Sequence, residues 1–246
     1  MMCSYCPQNL HVKEYTKKTR EVIMSLDTFE LCLSKIPKHV DIIFAGMAEP
    51  FLNKQCADMM VLANNLGYKV GVYTTGVGVT ASDIAKIKDI NFLYVCLHVP
   101  DGKGDMKIKI DEGYIDTLKM VLPIVTQKMC IGKIDERVKE VVGDVIDGSV
   151  GLFSRAGNLK SLAIPKKVGV LGCSACGEKL DHNILLPNGE VLLCCMDYGQ
   201  ESVLGNLTNC TYDELFNSEQ YKLIQQGLKD DSSNIICRRC EISKLI

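Results

Sequence analysis

The sequence lacks the features that mark several large function classes. Neither sign of charge dominates: 28 lysines and arginines against 30 aspartates and glutamates leave a formal net charge of −2. That is too little to draw the chain generally to nucleic acid or to an anionic membrane. No apolar run approaches the roughly 18–20 residues needed to span a bilayer. The first eight residues carry neither the charged nor the apolar region of a secretory signal. Repeats, low-complexity stretches and long charge blocks are missing, and there is no tryptophan. What remains is the expectation of a cytoplasmic protein of 246 residues, enough for one large core, or for one core and a small satellite domain.

Cysteine is what the chain has in excess, with 13. A secreted disulfide scaffold is shorter and spreads its cysteines through loop-rich sequence. Here Cys32, Cys56, Cys96, Cys130 and Cys210 stand singly, and the first four read as small core residues. The others form tight groups: Cys3 and Cys6, Cys173 and Cys176, Cys194 and Cys195, Cys237 and Cys240. Close pairs in a reducing compartment point to metal or thiol redox chemistry.

Residues 25–126 alternate between helical and strand periodicity. Ser25 can cap a helix whose apolar stripe includes Phe29, Leu33 and Ile36. Residues 40–44 read as a buried strand and residues 55–66 as a helix ended by Gly67. A strand over 69–74, a helix after Thr80, a strand over 92–97 and a helix over 112–125, interrupted by Pro123, complete the pattern. Such alternation implies right-handed βαβ units and a parallel sheet. From 126 to 162 the pattern weakens to short strands near Met129 and Leu162. After about residue 165 the sequence changes character. Residues 183–193 read as a hairpin with Asn188-Gly189 at the turn, and a helix capped by Thr211 starts at Tyr212. The expected division is therefore 1–165 and 166–246.

Cys3-Ser4-Tyr5-Cys6-Pro7 is a C-x2-C pair, a spacing shared by zinc knuckles and thiol redox sites. A thioredoxin-type site opens a helix after a strand, and no room for that strand precedes Cys3 in the sequence. In the tail, Cys176-x12-Gly189-x4-Cys194 is followed after a long gap by Cys237-Arg238-Arg239-Cys240. A hairpin brings Cys176 and Cys194 toward one end, and the closing pair completes four thiolates. Four thiolates suit a tetrahedral zinc ion or an iron–sulfur cluster equally well.

The tail series, with Cys195 after Cys194 and Gly205-Asn206-Leu207 beyond it, resembles the SPASM or twitch domain of radical S-adenosylmethionine (SAM) proteins. Cys3-x2-Cys6 with Tyr5 between resembles the end of that family's C-x3-C-x-aromatic-C motif. Phe44-Ala45-Gly46-Met47-Ala48-Glu49-Pro50 resembles its Gly-Gly-Glu-Pro segment, and Tyr73-Thr74-Thr75-Gly76 loosely resembles its Thr-Asn-Gly strand end. The resemblance implies an α/β fold: a partial (β/α)6-type TIM barrel followed by a small hairpin-plus-helix domain for an auxiliary cluster. One mark departs. The motif's first cysteine falls four residues before Cys3, ahead of Met1, so the expectation is a chain cut short within the motif.

In this family three cysteines hold a [4Fe–4S] cluster whose open iron takes the amino and carboxylate groups of SAM. Reductive cleavage then yields a 5′-deoxyadenosyl radical that removes hydrogen from a substrate; the protein's share is placement, potential and exclusion of water. By this resemblance Cys3 and Cys6 ligate the catalytic cluster, and Tyr5 packs near it and the adenine. The backbone around Gly46, Ala48 and Glu49 faces the methionine amino group. Thr74, Thr75 and His98, at strand ends, contact SAM, and Arg155 pairs with a carboxylate of SAM or substrate. Cys176, Cys194, Cys237 and Cys240 hold one auxiliary [4Fe–4S] cluster for electron transfer, with Cys173 and Cys195 spare. Without the resemblance, Glu49 reads as a loop cap, His98 as a core histidine and Arg155 as a surface cation. Implied partners are a reductant such as flavodoxin or ferredoxin and a peptide or small-molecule substrate, sugars included. The catalytic residues and the substrate are not readable. The competing function is a non-catalytic zinc or electron-transfer protein on a degenerate barrel.

Overall fold

The computed structural model describes residues 3–148 and 152–246. In chain order come α1 (Gln8–Thr16), α2 (Leu26–Leu33), β1 (Ile42–Phe44), α3 (Cys56–Asn65), β2 (Val70–Thr74), α4 (Ala81–Ile87), β3 (Tyr94–His98), α5 (Glu112–Val121), β4 (Gln127–Cys130), α6 (Glu136–Val142) and β5 (Ile146–Asp147). Then follow β6 (Leu171–Cys173), β7 (Ile184–Leu185), β8 (Glu190–Leu192), β9 (Val203–Asn206), α7 (Tyr212–Leu215), α8 (Glu219–Gly227) and β10 (Ser243–Leu245). Contacts divide the chain into two units, one of residues 1–4 and 37–152, the other of residues 5–36 and 153–246. The change of sequence character near 165 lies inside the second unit.

The first unit is α/β. Its five strands are all parallel and lie in the order β1-β2-β3-β4-β5. Neighbours in sequence are neighbours in the sheet, and a helix crosses between most of them; this is the singly wound arrangement of a partial barrel. Val70, Val72, Val95 and Leu97 fill its core. Gly71 leaves room for its neighbours' side chains: a Cβ there would lie 2.8 Å from Ile43 Cδ1 and 3.1 Å from Tyr94 Cζ, so one of them would have to shift. Side-chain caps start the helices: Thr80 and Asp83 form a reciprocal capping box on α4, Asp111 caps α5 and Asp135 caps α6. The helix expected to reach residue 125 stops at Val121, where a 3-10 turn containing Pro123 takes over, since proline brings no N–H to the ladder. The strand near Met129 is β4. Residues near Leu162 instead form a 3-10 turn, Lys160–Leu162, and not a strand. Cys56, Cys96 and Cys130 are buried, as is Cys32 in the other unit, and burial pushes all four thiols up.

The second unit holds an antiparallel sheet β7-β8-β9 and a β6–β10 ribbon, with α1, α2, α7 and α8 in the same unit. Ser25 caps α2, and Thr211 with Glu214 forms a capping box on α7. The β7–β8 turn closes through the Gly189 N–H on Leu186 O at 2.9 Å, so Pro187 and Asn188 are its central residues. Gly189 follows at φ +83, one position later than a two-residue Asn-Gly turn places it. A Cβ on Gly189 would meet Thr208 Cγ2 at 2.5 Å and Asn206 Oδ1 at 2.6 Å. Asn206 Nδ2 donates to Asn188 O at 3.0 Å while its Oδ1 accepts the Thr208 N–H at 2.8 Å. Gly189 and Asn206 of the family marks are thus parts of one clamp that fixes the hairpin. Among the described residues no helix is long and apolar enough to cross a membrane.

Candidate functional site

In the first unit the polar groups collect where β1, β2 and β3 end, the edge at which loops of parallel sheets build sites. The β1 loop alternates: Ala45, Gly46 and Ala48 are exposed, while Met47 and Glu49 are buried. Gly46 has φ +127, a value open to glycine. Ala48, where the family often has a second glycine, is not among the positive-φ residues and needs no such freedom.

Among the described residues Glu49 has no ion-pair partner. One carboxylate oxygen accepts the Thr74 hydroxyl at 2.7 Å and the Phe51 N–H at 3.3 Å; the other accepts the Thr75 N–H and the Thr75 hydroxyl, both at 2.7 Å. Tyr114 of α5 donates its hydroxyl to Thr75 O at 2.8 Å. Glu49, Thr74 and Thr75, three of the residues read from sequence, are therefore bound to one another. The carboxylate straps the β1 loop to the end of β2, and the exposed residues Ala45, Gly46 and Ala48 are what the strap presents.

His98 ends β3, where burial holds its imidazole down at about 4 against an opposing pull from Asp101. Asp101 is itself buried. Burial pushes its carboxyl up, but the N–H groups of Met106, Asp105 and Lys103, at 2.9, 3.1 and 2.8 Å, hold it below the usual carboxylate value. The loop so organised receives the chain start: Cys3 bridges Met106, the Ser4 N–H reaches Asp105 O at 2.9 Å and the Ser4 hydroxyl reaches Asp105 Oδ1 at 2.6 Å. Pro100-Asp101-Gly102 is a turn signature and the one sequence signal from which Asp101 was findable.

In the second unit Tyr5 is buried and Cys6 half-buried. Tyr198 donates its hydroxyl to Cys6 Sγ at 3.9 Å; its phenol is raised, by burial first and then by Cys6. Arg155 heads a left-handed turn: Arg155 and Ala156 both have φ +54 and Gly157 has φ +81. Two non-glycine residues there cost about 1–2 kcal/mol each. The Ser154 hydroxyl offsets part of this by accepting the Gly157 N–H at 2.8 Å, and Glu241 takes the Ser154 N–H at 2.6 Å. The turn aims Arg155 Nη1 at Met196 Sδ, 3.8 Å away, and leaves its buried Nε without a partner. A strained turn holding a cation with an unused donor is suited to an anion.

The tail cysteines converge. Cys176, Cys194, Cys237 and Cys240 belong to one buried cluster with Cys173 packed against it, and the Cys176 N–H donates to Cys173 Sγ at 3.1 Å. With the proton held on Cys176, the Cys173 thiol falls to about 5 and that of Cys194 is also lowered. Cys237 is pushed up to about 12 by burial and then by the field of Cys194; Cys240 is raised by burial. The structure thus places Cys176, Cys194, Cys237 and Cys240 within one electrostatic neighbourhood. It separates the two spare cysteines: Cys173 stands in the nest, whereas Cys195 is exposed. Donor type and convergence fit an iron–sulfur cluster. Among the described residues no three His, Cys, Asp or Glu side chains stand tightly enough to hold a single metal ion.

Residues 176–241 match the SPASM family, an iron–sulfur cluster-binding domain. No curated protein sequence matches the chain. Solved structures do. BtrN in complex with AdoMet and 2-DOIA is 17% identical, with 98% of this chain and 87% of that chain covered and a TM-score of 0.61. Native anSMEcpe with bound AdoMet and the Kp18Cys peptide is 14% identical, with 98% and 83% covered and a TM-score of 0.50. The chain therefore shares the fold of these two AdoMet-bound proteins, with a five-stranded parallel sheet wound as a partial (β/α) barrel, and its residues 176–241 match the SPASM cluster-binding domain.

Proposed function

We propose that the chain is a radical SAM enzyme whose tail carries one auxiliary [4Fe–4S] cluster, as in the shorter twitch form. The observation that carries this reading is the cysteine nest of Cys176, Cys194, Cys237 and Cys240, within the stretch matched by a cluster-binding domain. A four-iron core spreads its thiolates more widely than a single zinc ion with its sulfurs about 2.3 Å away, which favours iron–sulfur over zinc. Cys3 and Cys6 are assigned to the catalytic cluster by their motif. Bound there, that cluster and SAM supply a 5′-deoxyadenosyl radical.

The chain's own residues then have these tasks. In the first unit, the backbone at the exposed residues Gly46 and Ala48 meets the methionine amino group, held by the Glu49–Thr74–Thr75 strap. His98, kept neutral by burial, accepts or donates a hydrogen bond without adding charge. In the second unit, Arg155 offers its unpartnered Nε to a carboxylate of SAM or substrate, and buried Tyr5 packs beside the adenine. Cys176, Cys194, Cys237 and Cys240 would hold the auxiliary cluster, and with all positions filled by cysteine it would supply electron transfer. Flavodoxin or ferredoxin supplies them in the cytoplasm, where thiols stay reduced. The substrate is a peptide or a small molecule; of the two neighbours, one was crystallised with a peptide and the other with 2-DOIA.

The test is anaerobic reconstitution with iron and sulfide. A Cys3→Ser/Cys6→Ser chain should still take up one cluster, seen by iron and sulfide content and electron paramagnetic resonance (EPR). A chain extended so that it carries the motif's first cysteine four residues before Cys3 should then convert SAM and dithionite to 5′-deoxyadenosine. Zinc in place of iron, or no 5′-deoxyadenosine from the extended chain with both clusters loaded, overturns the enzyme reading.

A further inference from the structure

Between the closing pair of cysteines sits a residue that neither the motif nor the sequence reading uses. Arg238 is fully buried, the largest side chain so enclosed and the only basic one in the buried set among the described residues. A guanidinium is always charged, and enclosing it is expensive unless its five donors and its charge are both met. The donors are met. Nε gives to Gly227 O at 3.1 Å, Nη2 to Leu228 O at 3.1 Å, and Nη1 to Lys167 O and Gly169 O at 3.0 Å each and to Asp231 Oδ1 at 2.9 Å. The Arg238 carbonyl in turn takes the Lys167 N–H at 2.7 Å.

The charge is met only in part. Four of the five acceptors are neutral carbonyls. Asp231, the one ion-pair partner among the described residues, has 51% of its side chain in solvent, and Asp230, whose carboxyl Ser232 and then Arg238 help to hold down, is exposed as well, so water screens both. The end of α8, which lends the Gly227 and Leu228 carbonyls, contributes a partial negative charge. Fixed negative charge around this cation therefore falls short of what its burial calls for. The missing charge has an address. Arg238 shares the 3-10 turn Ile236–Arg239 with Cys237, and Cys240 is the next residue. The carbonyls it grips lie at the end of α8 and on the lead-in to β6, the strand that ends at Cys173. Thiolates gathered around iron and sulfide bring the excess negative charge that the cation lacks.

We propose that Arg238 is the positioning residue and electrostatic counterpart of the auxiliary cluster: its fork sets the spacing of the Cys237 and Cys240 thiolates, and its buried charge raises the cluster's reduction potential. Net charge around a cluster is one of the settings of its potential, and a nearby cation favours the more negative, reduced form. The inference rests on the reading of these cysteines as cluster ligands.

The experiment is a redox titration of the reconstituted Cys3→Ser/Cys6→Ser chain, followed by EPR, so that only the tail cluster reports. Arg238→Met should lower the reduced-to-oxidised ratio at fixed poise by about tenfold, a shift of about 59 mV to lower potential for one electron. Arg238→Lys keeps the charge and should recover most of that shift while loosening the EPR line shape, since an ammonium cannot reproduce the fork. Asp231→Asn removes the screened partner and should raise the ratio by about twofold, the opposite direction. If Arg238→Met fails to fold or to hold iron, Asp231→Asn still decides: a higher potential supports the proposal, and an unchanged or lower one overturns it. Equal potentials in all four chains, each with full iron, reduce Arg238 to scaffolding and overturn it. An unsubstituted chain that takes up no iron and sulfide overturns the cluster reading first, and this inference with it.

Discussion

At the end of β1 both oxygens of Glu49 are taken, by two hydroxyls and two backbone N–H groups. In the tail, the cysteines find chiefly one another: Cys176, Cys194, Cys237 and Cys240 pack in one buried cluster, while burial and neighbouring sulfur push Cys237 up to about 12. The first arrangement is complete within the protein and holds its shape before anything binds. The second keeps together several thiols whose ionisation burial and one another's fields oppose, and is finished only by a guest that takes up the thiolate charge. Stability of the second unit should therefore be linked to its occupant, since what binds the folded form alone stabilises it, and stability of the first unit should not.

The largest expected effect tests that split. Stripping iron from the reconstituted Cys3→Ser/Cys6→Ser chain, or substituting Cys237→Ala in it, should cost the second unit about 4 kcal/mol if the guest stands near 1,000 times its dissociation constant. Hydrogen exchange at Val191 and Leu204 should quicken, while Val72 and Val95 keep their protection. Equal loss in both units would break the comparison. Next in size is Glu49→Gln, which places an amide against hydroxyl and N–H groups that all now give to a carboxylate. A loss of about 3 kcal/mol is expected from buried donors left unsatisfied, read by urea unfolding and the same with or without iron. A loss that depends on iron would show that the strap, too, waits for its ligand.

A pH dependence sharpens the contrast further. His98 has its imidazole lowered from 6.5 to about 4 by burial, so its folded form resists protonation that the unfolded chain accepts. Between those two values the unfolded chain binds more protons, and stability must fall as pH drops through that window. The contribution is whole above pH 6.5 and gone below about 4. At about 1.4 kcal/mol for each unit of difference, and allowing for partial exposure, it amounts to about 2 kcal/mol. Urea midpoints of the parent chain and of His98→Gln, taken from pH 7 to pH 4, should converge toward the acid end. Parallel curves would remove His98 as the origin.

How much of this was legible depended on range. Local signals read true: Ser25, Thr80 and Thr211 do cap helices, Gly67 ends α3, and Pro123 ends α5 a few residues early by its missing N–H. Strand–helix alternation was enough for a parallel sheet, and cysteine grouping for a thiol nest. Long-range facts were not written locally. Residues 5–36 group with the tail through contacts such as the Asn188 N–H on Tyr15 Oη at 3.0 Å, which joins residues 173 apart. Glu49's use of Thr74 and Thr75 spans two strands. The left-handed turn at Arg155 runs against residue preference and exists because Ser154, Asn158 and Glu241 hold it. Arg238 carried no sequence signal beyond its place between two cysteines.

The smallest effect asks whether the Glu49 strap is a network or a set of separate bonds. Tyr114 is buried and reaches the strap only through its hydroxyl on Thr75 O at 2.8 Å. Tyr114→Phe leaves the ring's packing in place and removes that one bond, an expected cost of about 1 kcal/mol. Tyr221 in the second unit makes a bond of the same length to Lys179 O in a more exposed setting, where water replaces the lost partner, so Tyr221→Phe should cost about half as much. If the strap acts as a unit, the Glu49→Gln and Tyr114→Phe losses will not add: Thr75 is common to both, and residues in one hydrogen-bond network couple by about 0.5 kcal/mol or more. A double-mutant cycle in urea reads that term directly. Strict additivity would mean that Glu49 and Tyr114 hold Thr75 independently, and that α5 supports the end of β2 without sensing the loop after β1.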